Sequence, residues 1–219
     1  MSERPSGKPT DGVISRFINR KISSRITSYI LRNDIDVTPT QVSIFSFSLG
    51  IFASLLYLYD FLILAGILVQ LSSIIDGVDG ELARARNLVS RLGGFIDTIL
   101  DRVVNIAIIT SITYLLLFRT GPDYIVVLVG LLALSADLLV TYLHAVSQKD
   151  LGVHPALVGS IPPIASRDVR LFIIFLASLM GVLDYDFLLD GLLLMAILTY
   201  IYVFGKFLEL VKLEINTSG

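Results

Sequence analysis

Apolar residues along this chain fall into six runs separated by polar stretches. They cover residues 40–59, 61–75, 103–118, 124–146, 171–183 and 187–205. Such runs predict helices that cross a lipid bilayer, but several are too short to do so alone. A span needs about 20 residues to cross about 30 Å of hydrocarbon. The run at 61–75 has 15 residues, or about 22 Å at about 1.5 Å per residue. Its helix is therefore expected to continue through Asp76, Asp79 and Gly80. By the same argument the third helix begins before Val103 and takes in Asp97 and Asp101.

Ahead of the first run, Val13, Ile14, Phe17, Ile18, Ile22, Ile26 and Ile30 recur near helical spacing, with Arg16, Arg20, Arg25 and Arg32 between them. Residues 13–33 thus predict an amphipathic helix lying on a membrane surface; packing on a soluble partner is the alternative. Thr38-Pro39 breaks the chain before the first span. Residues 1–12 are polar and rich in Pro and Gly, without the apolar stretch of a signal peptide, and are expected to form a disordered lead. The expected architecture is all-α: a surface helix, then a six-helix transmembrane domain over residues 40–214.

Composition agrees. Of the 219 residues, 54% are hydrophobic and 16% charged, and the mean hydropathy is +0.80. A soluble core cannot absorb that much apolar surface. A net charge of −2 argues against a nucleic-acid partner, and the absence of cysteine excludes disulfides and thiolate metal sites. Sixteen of the 17 Lys and Arg fall on one side of the predicted topology, leaving Arg119 alone on the other. Cytoplasmic loops carry such an excess, so both termini and the aspartates are expected on the cytoplasmic side of the cell membrane.

Those aspartates are the candidate chemistry. Asp76 and Asp79 are three apart, Asp97 and Asp101 four apart, so each pair shares a helix face. Four carboxylates at a low-dielectric boundary repel one another. Bound divalent cations would relieve this, and oxygen-only ligands suit one or two Mg²⁺ or Mn²⁺ ions. Gly77, Gly80, Ala83, Gly93 and Gly94 keep the same faces free of bulk, which suits either a close ligand or close helix packing. Arg84, four residues after Gly80, is placed to meet a phosphate. Carboxylates alone would equally suit an ion or proton transporter. His144 and His154 are expected to be structural or loop residues rather than ligands, and Asp137 and Asp190 to be buried hydrogen-bonding groups, with membership of the site the alternative.

The stretch "DGVDGELAR", eight residues, then "GGFIDTILD" resembles the signature of the CDP-alcohol phosphotransferase family, with Asp76, Asp79, Gly80, Ala83, Arg84, Gly93, Asp97 and Asp101 filling every defined position. The resemblance implies transfer of a substituted phosphoryl group from a CDP-linked alcohol to an acceptor hydroxyl, with release of CMP. It implies metal binding by Asp76, Asp79, Asp97 and Asp101, with Asp101 also the general base. It places the CDP moiety against Gly80, Ala83, Arg84 and Gly93, and implies a membrane homodimer. Prenyltransferases also use aspartate-rich membrane sites, but resemble a layout with motifs far apart.

The connection at 147–170 carries Lys149, Arg167 and Arg170, three cations that would suit an acceptor bearing its own phosphate; positive-inside anchoring is the alternative. "DGVISRFINRKISSRIT" and "SRDVRLF" resemble the membrane domains of archaeal-type di-myo-inositol-phosphate-phosphate synthases, which implies an inositol phosphate acceptor. The neighbouring expectation is phosphatidyl- or archaetidylinositol phosphate synthesis, from a CDP-diacylglycerol or CDP-archaeol donor.

Overall fold

The computed structural model describes residues 12–218, with side chains as far as residue 215. The lead expected over residues 1–12 lies outside these but for Gly12. A π-helical turn, Ser15–Asn19, enters α1 (Arg20–Arg32), followed by α2 (Pro39–Leu58), α3 (Leu62–Ala85), α4 (Arg91–Thr120), α5 (Tyr124–Val146), α6 (Arg167–Met180) and α7 (Asp186–Ser218). Among the described residues there is no strand. As the short apolar runs required, α3 carries Asp76 and Asp79 in its last turns, and α4 carries Asp97 and Asp101 in its first ones.

Among the described residues, five helices are long and apolar enough to cross a membrane: α2, α3, α4, α5 and α7. A sixth crossing, expected from the apolar run at 171–183, falls on α6. It starts only at Arg167, after Pro162-Pro163, and gives way at Gly181, so it has 14 residues, or about 21 Å.

Local chemistry fixes the helix ends. Thr38 caps α2 through a reciprocal pair with Gln41, with Pro39 at the first helical position. Ser90 caps α4 by accepting from the Gly93 amide at 3.0 Å. Three helices stop in the same way. Asp34, Asp60 and Asn87 take positive φ (48°, 64° and 56°) just past α1, α2 and α3. The next amide then reaches back to Ile30, Leu56 and Ala83. This closure usually uses glycine; short Asp and Asn side chains tolerate it.

α2 packs against both α3 and α4, α3 also against α6, and α5 against α7. α3 and α4 make almost no direct contact, and the aspartates lie along the gap between them. Close approaches use small residues. A Cβ on Gly66 of α3 would meet Ser178 of α6, and one on Gly191 of α7 would meet Ala177 of α6. Tyr57 of α2 reaches Ser178 across the core through its hydroxyl. At the end remote from the aspartates, Asp60 accepts from Arg119 and from Tyr185 (2.6 Å), joining three interhelical connections. Beside that carboxylate, the Tyr185 phenol is pushed above its ordinary pKa, first by the hydrogen bond to Asp60.

α1 docks on α3 through buried polar contacts. Glu81 is fully buried and accepts from Arg20 (2.7 Å), Ser23 (2.7 Å) and Thr27 (2.8 Å). Asn19 bridges Ser73 and Gln70. Phe17 and Tyr29 are exposed on the outer side of this segment.

Candidate active site

Helical spacing places Asp76 and Asp79 on one side of α3, and Asp97 and Asp101 on the facing side of α4. One oxygen each from Asp76, Asp97 and Asp101 lies within 4.8 Å of the others. These are three hard donors from two helices, the set a small divalent cation takes. Asp79 stands outside this trio: it is buried, and accepts a hydrogen bond from Ser43 of α2.

A cation of the chain's own already meets the cluster. Arg167, the first residue of α6, places Nη1 3.0 Å from Asp76 and Nη2 2.9 Å from Asp101. Arg167 thus supplies part of the compensating charge that the four carboxylates require, and it comes from 66 residues beyond Asp101 in the chain.

Two cavities open from the aspartates. One, of about 450 Å³, lies between the start of α2 and the α3–α4 connection. Gly80, Ala83, Arg84 and Gly93 line it, with Thr38, Ser43, Leu88 and Val89. Arg86 holds its rim in place by donating to the carbonyls of Val37 and Ile35. The other, of about 440 Å³, lies under α1 and the 147–166 connection. Its wall includes Asp76, Asp101, Arg102, Thr141, His144, His154, Ser166, Arg167 and Arg170. Asp79, Gly80 and Asp97 belong to both.

The second cavity has spare donors. The Nε atoms of Arg102, Arg167 and Arg170 and the Ser166 hydroxyl are buried without a hydrogen-bond partner among the described residues. Buried N–H groups are rarely left so. Ser166 is also the residue before α6, so the amides of a helix start face the same region. One acid is already there: Asp168 accepts from the Ser15 amide at 2.5 Å, drawing the entry to α1 over the cavity.

Of the sequence candidates, the structure brings Asp76, Asp97, Asp101, Arg167 and Arg170 to one place and gathers Gly80, Ala83, Arg84 and Gly93 in the adjoining cavity. Lys149 is not brought in: it is exposed on a π-helical turn, Ser147–Leu151, and lines neither cavity. Asp137 is buried and hydrogen bonded as expected, whereas Asp190 is exposed. Ser43, Arg102, Thr141, Ser166 and the two histidines join the walls unforeseen. His144 and His154 lie with ring centroids 4.8 Å apart. The His154 Nδ1 accepts from the Ala156 amide at 3.1 Å, so Nε2 carries its proton. Burial holds its pKa below the ordinary value.

Residues 36–208 match the model of the CDP-alcohol phosphatidyltransferase family. The chain is 46% identical over 132 residues to the bifunctional IPC transferase and DIPP synthase of Thermococcus kodakarensis, covering 60% of this chain but 29% of that protein. It is 32% identical over 178 residues to the archaetidylinositol phosphate synthase of Pyrococcus horikoshii, covering 81% of this chain and 86% of that one. The fold is shared with the phosphatidylinositol phosphate synthase of Mycobacterium tuberculosis, crystallised with CDP-DAG bound: TM-score 0.71 at 21% identity, over 87% of this chain and 94% of that one. A second crystal structure of that enzyme, with manganese and citrate, gives 0.70 over 86% and 88%. With the match spanning most of its length and the signature aspartates converging in three dimensions, the chain belongs to the CDP-alcohol phosphatidyltransferase family.

Proposed function

We propose that this CDP-alcohol phosphotransferase uses a phosphorylated polyol, an inositol phosphate, as its acceptor. The carrying observation is the asymmetry of the two cavities. They share Asp79, Gly80 and Asp97, but one gathers three guanidinium groups, of Arg102, Arg167 and Arg170, whereas Arg84 is the single arginine lining the other. A phosphate dianion suits those donors, and about 440 Å³ suits a single phosphorylated ring. The archaetidylinositol phosphate synthase and phosphatidylinositol phosphate synthase relatives support the same acceptor.

The motif cavity then takes the donor. Arg84 meets the diphosphate, while Gly80, Ala83 and Gly93 leave room for the cytidine moiety. Asp76, Asp97 and Asp101 fit a divalent ion, Mg²⁺ or Mn²⁺, with Asp79 a further ligand. Such an ion, when bound, neutralises charge on the diphosphate and the leaving CMP. Asp101 faces the acceptor cavity and takes the proton of the attacking hydroxyl. The acceptor oxygen bonds to the alcohol-bearing phosphorus, the bridging P–O bond breaks, and CMP leaves with that bridging oxygen. Arg102, Arg167 and Arg170 hold the acceptor's own phosphate and so orient its ring. No step requires a protein nucleophile.

Two donor classes fit. The resemblance to di-myo-inositol-phosphate-phosphate synthases favours a soluble CDP-inositol. A lipid donor is favoured by exposed Leu88 and Val89 in the wall of the donor cavity, where acyl or isoprenoid chains could leave it. The archaetidylinositol phosphate synthase relative points the same way.

We further assign α6, with its flanking segments, as a sixth crossing. The charge asymmetry places both termini and the active site in the cytoplasm. α1 lies along the membrane surface, and the chain pairs as a homodimer. Cysteines at Gly12 and Ile215 should label from the cytoplasmic face only, and one at Gly121 from the opposite face.

The test of the activity is CMP release by detergent-purified protein with Mg²⁺. The donors are CDP-inositol, CDP-diacylglycerol and CDP-archaeol, each with inositol phosphate or inositol. CMP should appear only with donor and acceptor together, and inositol phosphate should exceed inositol at least tenfold in kcat/KM, the scale of one charged hydrogen bond. Equal rates with inositol would remove the phosphorylated acceptor. Turnover in detergent, where no gradient exists, also excludes a transporter.

A further inference from the structure

Behind the wall of the acceptor cavity lies a buried cluster that the family motif does not include. Asp137, midway along α5, is 1% exposed and does not line the cavity. Its Oδ2 accepts from Arg102 Nη1 at 2.9 Å, and its Oδ1 accepts from Asn105 Nδ2 at 2.8 Å and lies 3.2 Å from Arg170 Nη1. Thr141, one turn along α5, accepts from the same Arg102 nitrogen at 2.7 Å, and its own hydroxyl donates to the Asp137 carbonyl at 3.0 Å. One carboxylate thus grips two guanidinium groups from two other helices.

Charge balance separates this from an ordinary structural ion pair. Buried ions are normally neutralised one for one. Here Arg102 and Arg170 share the single carboxylate of Asp137. Both arginines line the cavity, and their Nε atoms have no hydrogen-bond partner among the described residues. Asp137 meets both guanidinium groups at Nη1, by a hydrogen bond from Arg102 and by an ion pair with Arg170.

Resting on the phosphorylated acceptor proposed above, we infer that Asp137 is a positioning residue: it fixes Arg102 and Arg170 in the cavity wall so that their guanidinium groups receive the acceptor's phosphate. It touches no reacting atom. Its effect passes through two arginines whose planes it sets, because a guanidinium recognises phosphate by a rigid fork of donors.

Asp137→Asn tests this by the sign of its effect. The substitution keeps size and a hydrogen-bond acceptor, and adds one positive charge to the wall. If Asp137 acted only through charge, removing it would tighten anion binding and lower the acceptor KM. If it positions the arginines, KM for inositol phosphate rises, by about tenfold or more on the scale of a lost charged hydrogen bond. KM for unphosphorylated inositol and for the CDP-alcohol donor should stay within about twofold of wild type. The preference for the phosphorylated acceptor therefore collapses while donor handling survives. A lower KM, or equal losses with both acceptors, overturns the inference. Should Asp137→Asn not fold, Thr141→Val decides. It removes one acceptor of Arg102 at nearly constant volume and should raise the inositol phosphate KM about threefold, the other constants holding. An unchanged acceptor preference in that variant also overturns it. The wild-type comparison of phosphorylated with unphosphorylated acceptor comes first, so a failure of the acceptor assignment shows there, before any variant is read.

Discussion

The two cavities of the active site are built in opposite ways. The cavity proposed for the donor is local: apart from the start of α2, its walls come from Asp79–Asp97, a continuous stretch that leaves α3, turns at Asn87 and enters α4. The cavity proposed for the acceptor is assembled from far-apart segments: the entry to α1, α3, α4, the end of α5, the 147–166 connection, α6 and Tyr202 of α7. A local stretch can hold a fixed spacing of Asp, Gly and Arg, and hence a recognisable signature. A site made of single residues from many helices can change its ligand one residue at a time. On the proposed assignment, the donor side reports the reaction class, and the acceptor side decides which member of the class this is.

The largest expected effect lies where the cavities meet. Chelation should abolish turnover, with recovery on adding Mg²⁺ or Mn²⁺. Asp97→Asn, which replaces a charged oxygen ligand with a neutral one, should bring turnover down to near background and weaken Mn²⁺ binding measured by calorimetry. Full turnover in chelator would mean that the aspartates serve neither cavity as a metal centre.

Asp101→Asn should come next, lowering kcat by about 10²-fold or more, the scale of a general base, while donor binding persists. Arg167 ion-pairs with Asp101 at 2.9 Å, so Mn²⁺ affinity must be measured on the same variant. Normal metal affinity with normal turnover would exclude Asp101 from proton transfer.

How much of this was legible in the sequence follows the same division. Short apolar runs at 61–75 and 103–118 required longer helices, and those extensions hold the four aspartates. That Gly80, Ala83, Arg84 and Gly93 share one cavity could be read for the same reason. Helix ends were harder. Asp34, Asp60 and Asn87 end three helices in the left-handed conformation, but any surface Asp or Asn offers the same local signal. The shortness of α6 was hidden because the apolar run at 171–183 continues past its end at Met180. Arg167 was legible as a cation near the site. Its grip on Asp76 and Asp101 was not, since nothing local links α6 to α3 and α4. His154, in an irregular connection, carried no periodic signal at all.

A crossed pair of variants probes the division directly. Arg84→Ala should raise the donor KM and leave the acceptor KM within about twofold. Arg170→Gln should do the reverse. Each removes charged hydrogen bonds worth about 1.5–3 kcal/mol, or roughly 10- to 100-fold in KM. Steady-state kinetics with each substrate varied in turn reads both. If either variant raises both constants equally, the two cavities are one continuous site.

The smallest effect expected is at Lys149. Charge and position in the chain made it a candidate for the acceptor phosphate beside Arg167 and Arg170. The structure separates the three: Arg170 is 3% exposed in the cavity wall, whereas Lys149 is exposed on a turn outside it. Water screens an exposed ammonium, and such groups contribute about 0–1 kcal/mol even to a direct partner. Lys149→Ala should therefore change the acceptor KM by no more than about twofold, with the difference vanishing as salt is raised. A salt-resistant loss of tenfold would carry a structural meaning. The connection at 147–166 would then have to fold inward over the bound acceptor and bring Lys149 out of water. The acceptor cavity would become a closing one, in contrast to a donor cavity whose rim Arg86 already ties to Ile35 and Val37.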